Sequence, residues 1–262
     1  MHVFRLQQNQ MPALSNVIPP TAIVIPSRIG STRLKKKAMA FIGKEPMIVH
    51  VWRMACRQNI GPVIVACDDP SIAECIANVG GHYILTDPEL TTGSDRVAQA
   101  ISLWDPERSY DYVINVQGDL PYFSVDLSLL IKPLVKNPNL DMTTFIQPFD
   151  AVYRQDMPQV VKVLWDEPSG ICKNFTRQCL ETDVYHIGLY AFSRKALDRF
   201  AQLPMSYREV TEKLEQLRAL DAGFNIGGVL LNQETFISVD TQNDLDHARA
   251  FLKEHQAETI SL

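Results

Sequence analysis

The chain has 262 residues, 46% of them hydrophobic and 21% charged, with a formal net charge of −5. That length buries a sizeable core as one large domain or two small ones, and the mildly acidic balance argues against a general nucleic-acid binder, which carries a basic face. No apolar run approaches the roughly 18 residues of a membrane helix. Five scattered cysteines (Cys56, Cys67, Cys75, Cys172, Cys179) without a CxxC pair suit a reducing cytoplasm and not a disulfide framework or zinc site.

The opening "MHVFRLQQNQMPALSNVIPP" is polar and proline-tipped, without the basic and apolar regions of a signal peptide. Residues 1–20 are expected to form a flexible extension, with Met11 as an alternative start. "AIVIP" (22–26) is the first predicted strand. "PMIVHVWRMACRQ" (46–58) predicts a helix, with Pro in a tolerated first-turn position and apolar Ile48, Val51, Trp52 and Ala55. "PVIVAC" (62–67) reads as a strand, "PSIAECIANVGG" (70–81) as a helix stopped by glycines, and "HYILT" (82–86) as a strand. A helix over "SDRVAQAISLW" (94–104) and a buried strand over "DYVINV" (111–116) complete the alternation. Such alternation implies an α/β fold with a mostly parallel central sheet and helices on both faces. The second half is less regular, with strands expected over 158–165, 185–192 and 236–239 around a helix at 209–220. No repeat and no Pro/Gly/Ser-rich linker divides the chain.

Ligands of open α/β sheets bind beyond the carboxyl ends of the strands, and three groups of residues lie at such ends. The first is the loop in "IPSRIGSTRLKKKAM" (25–39). Backbone amides around Gly30, Ser31 and Thr32, with the forks of Arg28 and Arg33, suit a polyphosphate; a solvated basic turn fits the charge alone equally well. The second is "NVQGDLP" (115–121), where Asp119 is either a hard oxygen ligand for Mg²⁺ or the aspartate of a turn. The third is "FISVDTQNDLDHA" (236–248). There Asp240 caps a helix, or Thr241 caps it with Asp244 three residues on and Asp240 is free for a metal. A basic loop with two strand-end aspartates describes a metal–triphosphate site, where catalysis is positioning and charge neutralisation. No Ser–His–Asp or Cys–His nucleophile is apparent.

From about residue 21 to residue 252 these words resemble the 3-deoxy-manno-octulosonate cytidylyltransferase (CMP-Kdo synthetase) family. The family opening, roughly IPARxxSTRLPGKPL, stands here as "IPSRIGSTRLKKKAM". "GKEPMIVHV" (43–51), "TTGSDR" (91–96), "NVQGDLP", "HIGLYAF" (186–192), "EKLEQLRAL" (212–220) and "VDTQNDL" (239–245) follow in the family's order. The resemblance implies a Rossmann-like nucleotidyltransferase fold in which residues 21–262 are one domain. Its parts would be a CTP-binding half (21–147), a smaller mixed α+β sugar-binding and dimerisation part (148–235), and a final stretch (236–262) with the second metal ligand and a C-terminal helix. The implied reaction moves CMP from CTP to the anomeric hydroxyl of Kdo and releases pyrophosphate, in a cytoplasmic homodimer serving lipopolysaccharide synthesis.

Carried over by position, the resemblance makes Arg28, Lys37, Asp119 and Asp240 catalytic. Arg28 and Lys37 would hold the CTP phosphates, Ser31 and Arg33 would line the same loop, and Asp119 and Asp240 would bind Mg²⁺. Arg96 would lie near the cytosine or the sugar. Gln117, His186, Tyr190, Glu215 and Gln216 would surround the acidic sugar, with Arg177 on the same side, offering donors and acceptors to its hydroxyls. Read alone, His186 is one polar residue of an amphipathic strand and "LEQLR" an ordinary amphipathic helix.

The chain departs from the family pattern in two places. Lys35 and Lys36 replace Pro-Gly, and loss of a Gly able to take positive φ can redirect the loop. Only "QCLETDV" (178–184) separates "KNFTR" from "YHIGLY", where the family carries a longer segment tied to the sugar pocket and the dimer arm. Two alternatives therefore stand: a cytidylyltransferase for another acidic sugar (the 8-amino analogue of Kdo or a nonulosonic acid), and a non-catalytic nucleotide-binding relative. Retention of both Asp119 and Asp240 argues against the second.

Overall fold

Thr21–Ser27 (β1) is a run of β-branched and small residues buried on both faces, which makes it a central strand. Ile23 and Ile25 pack into one core with the first helix, whereas Ala22 and Val24 pack into a second core on the other face of the sheet. This is a computed structural model, and it describes residues 18–255 apart from 32, 151–155, 158, 179 and 233. Most of the expected extension at 1–20, with Met11, lies outside the described residues, as do Thr32 and Cys179.

After β1 come a 3₁₀ turn at Lys37–Met39, a small hairpin of Phe41–Ile42 (β2) and Glu45–Pro46 (β3), and helix Met47–Arg57 (α1). Val63–Cys67 (β4), Pro70–Asn78 (α2), His82–Leu85 (β5), Gly93–Trp104 (α3) and Tyr112–Asn115 (β6) follow. Asp69 caps α2 ahead of a first-turn proline, and Thr92 caps α3. The four strands lie parallel in the order β5-β4-β1-β6, with Ile23 opposite both Val63 and Ile114. The alternating first half thus folds as its periodicity predicts.

Beyond β6 the chain runs through Tyr122–Phe123 (β7), Ser128–Lys136 (α4), Met142–Pro148 (β8), Lys162–Asp166 (β9) and Ile171–Thr176 (β10). It then continues through Val184–Ser193 (β11), Arg194–Phe200 (α5), Tyr207–Glu212 (α6) and Gln216–Asp221 (α7). Ile226–Leu230 (β12), Phe236–Ile237 (β13) and Gln242–Glu254 (α8) complete it. The parallel strands extend into one sheet of order β5-β4-β1-β6-β11-β8-β12-β10-β9. Here the expectation of a mostly parallel sheet needs correction. β11 runs antiparallel to β6 and β8, and β10 antiparallel to β9 and β12. Lys162 of β9 also pairs with Tyr185 of β11, so β11, β8, β12, β10 and β9 close into a ring. For β9 and β10 the cause is local: a short turn joins them, and only antiparallel neighbours tolerate so short a link.

Two further expectations change. The stretch 236–239 is outside the main sheet, since only β13 forms there and it pairs with β7. The helix expected over 209–220 is broken into α6 and α7 by Lys213, whose φ of 55° is left-handed. Among the described residues, no helix is long and apolar enough to cross a membrane.

Candidate active site

Two strand-end loops meet above the carboxyl ends of β1 and β6. A Cβ at Gly118 would come within 2.5 Å of the Pro26 carbonyl oxygen, so the contact requires glycine. The Val239 amide donates to the Asp119 carbonyl (2.9 Å), which ties in the segment after β13. These two contacts place carboxylates that are distant in sequence side by side. Lys37 Nζ donates to Asp119 Oδ2 at 2.7 Å and to Asp240 Oδ1 at 2.9 Å, and Arg33 Nη2 lies 3.0 Å from Asp240 Oδ1. Burial works against the Lys37 charge, but Asp119 and Asp240 outweigh it and hold its pKa above the ordinary lysine value. The open question at Asp240 also resolves, because Thr241 caps α8 in a capping box with Asp244.

Around this cluster lies a cleft of about 270 Å³, whose lining includes Arg28, Ser31, Arg33, Lys37, Arg96 and Gln117 as well as both aspartates. Arg28 lines it from an exposed position, and Lys35 and Lys36 are exposed. Arg96 is buried at the back, where it donates to Thr86 Oγ1, to the Asp87 carbonyl (3.3 Å) and to the Leu90 carbonyl (3.4 Å). Its guanidinium is 3.7 Å from Asp68, whose other oxygen accepts from the Ile29 amide (2.8 Å). Arg96 therefore braces both the 86–90 loop and, through Asp68, the basic loop.

A second group lies on β11 and α7. Tyr190 Oη donates to Gln216 Oε1 (3.2 Å), and the His186 ring sits 5.3 Å from the Tyr190 ring and 5.2 Å from that of Phe175. Burial, with the Arg177 charge added, pushes the His186 pKa down to about 3, so the imidazole is neutral. Glu215 accepts from the Ser94 amide (3.1 Å) and from Ser94 Oγ (2.8 Å); burial raises its pKa, against the pull of those bonds. Gln117 Nε2 donates to Asn115 Oδ1 at 3.4 Å. A Cβ at Gly93 would stand 3.6 Å from Gln117 Oε1 and 3.7 Å from Glu215 Oε2, so both groups converge there, where the cleft opens toward α7. Arg177 Nη1 donates to the Glu212 (2.7 Å) and Lys213 (3.2 Å) carbonyls and so braces the break ahead of Glu215.

Several buried side-chain atoms lack a hydrogen-bond partner among the described residues; Trp165 Nε1 is one away from the cleft, and His186 Nε2, Gln216 Nε2 and Ser27 Oγ lie at it or beside it. Natural proteins rarely leave buried polar atoms unpaired, and such atoms flag a ligand site. Ser27 also lines the cleft and is absent from the sequence-derived set. The signal for it was a hydroxyl on the last residue of a buried strand. Asp119 and Asp240 are hard oxygen donors, which fits a small divalent cation. Among the described residues no three His, Cys, Asp or Glu gather as a metal-binding group.

The profile of the family described as Cytidylyltransferase matches residues 22–236. The chain is 42% identical over 240 residues to the 3-deoxy-manno-octulosonate cytidylyltransferase of Methylorubrum populi, covering 88% of this chain and 96% of the relative. Its counterpart from Paramagnetospirillum magneticum is 39% identical over 239 residues, covering 88% and 97%. A solved CMP:2-keto-3-deoxy-manno-octonic acid synthetase complexed with CTP superposes with a TM-score of 0.80 at 30% identity, over 90% of this chain and 99% of that one. A putative glucose-1-phosphate thymidylyltransferase from Bacillus anthracis superposes at 0.64 with 14% identity, over 89% and 96%, a likeness of fold alone.

Proposed function

The chain belongs to the 3-deoxy-manno-octulosonate cytidylyltransferase family, and from that premise we propose that it transfers CMP from CTP to the anomeric hydroxyl of Kdo. The anomeric hydroxyl gives up its proton to water as its oxygen bonds to the α-phosphorus, the α–β phosphoanhydride bond breaks, and pyrophosphate leaves with its electron pair. The observation that carries the reading is the pairing of two unlike walls. One is a cationic cleft with juxtaposed Asp119 and Asp240; beside it stand enclosed polar atoms, His186 Nε2 and Gln216 Nε2, without partners among the described residues.

In this reading Arg28, Arg33 and Lys37 grip the triphosphate, with Ser27 and Ser31 offering hydroxyls on the same wall. Lys37 exchanges its carboxylate partners for phosphate oxygens when CTP arrives, and fixed cations then sit where negative charge develops. Asp119 and Asp240 would hold Mg²⁺, which when bound supplies charge neutralisation at the phosphates and lowers the pKa of the attacking hydroxyl. Gln117, Tyr190, Glu215 and Gln216 orient the sugar's hydroxyls, while the neutral His186 acts as a hydrogen-bond partner and not as a charge. The homodimer, the cytoplasmic setting and the role in lipopolysaccharide synthesis rest on the family resemblance and on the scattered cysteines.

A pyrophosphate-release assay with Mg²⁺, CTP and a panel of Kdo, its 8-amino analogue and a nonulosonic acid tests the proposal. Kdo should give the highest kcat/KM, and UTP should be about a hundredfold worse than CTP, since a wrong base leaves buried partners unpaired. Preference for another sugar acid would reassign the substrate. Nucleotide binding without turnover on any of them would make the chain a non-catalytic relative.

A further inference from the structure

Arg218 lies two residues beyond Gln216 on α7 and is 3% exposed. Its guanidinium is not part of the cleft lining and holds two carboxylates at once. Nε and Nη2 donate to Glu209 at 2.8 and 2.7 Å, and Nη1 and Nη2 donate to Asp95 at 2.7 and 3.0 Å. The same group lies 4.5 Å above the Phe200 ring. Burial disfavours this charge, but the Glu209 and Asp95 bonds outweigh it and raise the pKa.

Both carboxylates already have local duties. Asp95 is the first-turn partner of Thr92 at the start of α3, and Glu209 closes a capping box with Ser206 at the start of α6. Neither cap requires a guanidinium. What the guanidinium adds is a link between α3, whose leading residues 90–93 line the cleft, and α7, whose start carries Glu215 and Gln216.

The same two elements have a front link, Glu215 to Ser94. A sugar hydroxyl bound by Glu215 competes with Ser94 for that carboxylate. The rear link is not part of that cleft's lining: Arg218 and Asp95 line a separate hollow with Ala98 and Leu203, so no sugar hydroxyl in the cleft competes for it.

We propose that Arg218 is a positioning residue that keeps the nucleotide wall and the sugar wall in register while Glu215 changes partners. It touches neither substrate. The proposal rests on the cytidylyltransferase reading for its effect on turnover, though its structural part stands apart from it. Loss of the rear link lets the two reactants drift, and misplacement of about an ångström costs a reaction of this type far more in rate than in affinity for either partner.

The test uses Arg218→Lys, which keeps the charge but cannot hold both carboxylates, and Asp95→Asn, which keeps the Arg218–Glu209 pair and so guards against a folding failure in the first. Each is assayed well below its Tm at saturating CTP and Kdo, alongside CTP binding without sugar and amide exchange over residues 93–96. We expect kcat to fall about tenfold or more, the CTP Kd to move less than about threefold, and exchange over 93–96 to quicken by about tenfold. A lowered Tm with wild-type kcat and unchanged exchange makes Arg218 a stability residue and overturns the proposal. So does a loss confined to CTP affinity. Should the wild-type protein fail to turn over CTP with any sugar acid, the functional reading falls. The exchange arm then decides the positioning role by itself, and unchanged exchange overturns it.

Discussion

The two walls of the cleft manage polarity in opposite ways. On the nucleotide wall the charges are paired with one another across the gap, Lys37 with Asp119 and Asp240, and Arg33 with Asp240. On the sugar wall the groups are enclosed, burial keeps the His186 imidazole neutral, and His186 Nε2 and Gln216 Nε2 have no partner among the described residues. The difference follows from the ligands proposed for them. A triphosphate brings several negative charges and can take over cations from carboxylates, so that wall can neutralise itself until the ligand arrives. A sugar brings hydroxyls, which reward donors and acceptors set in advance and give little to a mobile charge.

The largest effects should come from breaking the charged wall. Asp119→Asn and Asp240→Asn should each cut kcat on the order of a thousandfold, equivalent to about 4 kcal/mol of transition-state stabilisation. Neither should lower Tm greatly, because both side chains are half-exposed and the partner they lose, Lys37, keeps the other carboxylate. Activity near wild type in either variant, with Mg²⁺ present, would remove that residue from the metal assignment.

Breaking the sugar wall should cost less and should be selective. Gln216→Ala and His186→Gln should raise the KM for Kdo about tenfold and leave CTP binding close to wild type. His186 adds a second readout. Its folded pKa of about 3 lies below the ordinary 6.5, so the folded protein refuses a proton that the unfolded chain accepts. Stability is therefore unaffected by this group above about pH 6.5 and declines as the pH falls from there toward 3. In Tm measurements between pH 7 and pH 4, His186→Gln should fall less steeply than wild type. Parallel slopes would mean that the imidazole is hydrated in the folded state and that the wall is less enclosed than its geometry implies.

The walls also differ in how far the sequence reveals them. β1, β4 and β6 are short apolar runs between glycine and proline stops, with the more exposed β5 at the edge, and a parallel sheet follows from that pattern. The loop after β1 and the aspartate after β6 sit at strand ends, where such sheets place ligands, so that part of the nucleotide wall can be located from chain order alone, whereas Asp240 reaches it through the Val239–Asp119 bond. The sugar wall cannot. His186 and Tyr190 look like any polar and aromatic pair in a strand, and what distinguishes them is the Tyr190 bond to Gln216 of α7 with the His186 ring packed beside it. The break at Lys213 that sets α7 apart is equally hidden, because "EVTEKLEQLRAL" keeps helical spacing throughout. It is Arg177, remote in sequence, that takes the Glu212 and Lys213 carbonyls. The ring of strands in the second half depends on the same kind of distant pairing, Lys162 with Tyr185.

The smallest predicted effect concerns the part of the charged wall that departs from its family. Lys36 stands where the resemblance places a glycine, and it adopts φ 51° and ψ 42°, the left-handed region. The loop therefore keeps a glycine-like path with a lysine in it. The Met39 amide bonds to the Lys36 carbonyl at 2.9 Å, so the 3₁₀ turn that presents Lys37 depends on that conformation. A side chain there carries a steric cost of about 1 kcal/mol, partly offset because glycine loses more backbone freedom on folding. Lys36→Gly should accordingly stabilise the protein by about 0.5 kcal/mol in urea unfolding. Lys36→Ala, which keeps a Cβ in the same conformation, should give no such gain. Both should leave kcat within about twofold of wild type, because an exposed ammonium is screened by water and salt. A destabilised Lys36→Gly, or a large loss of CTP affinity in both variants, would show that the lysine side chain itself holds the loop, and that this part of the wall is built differently from the rest.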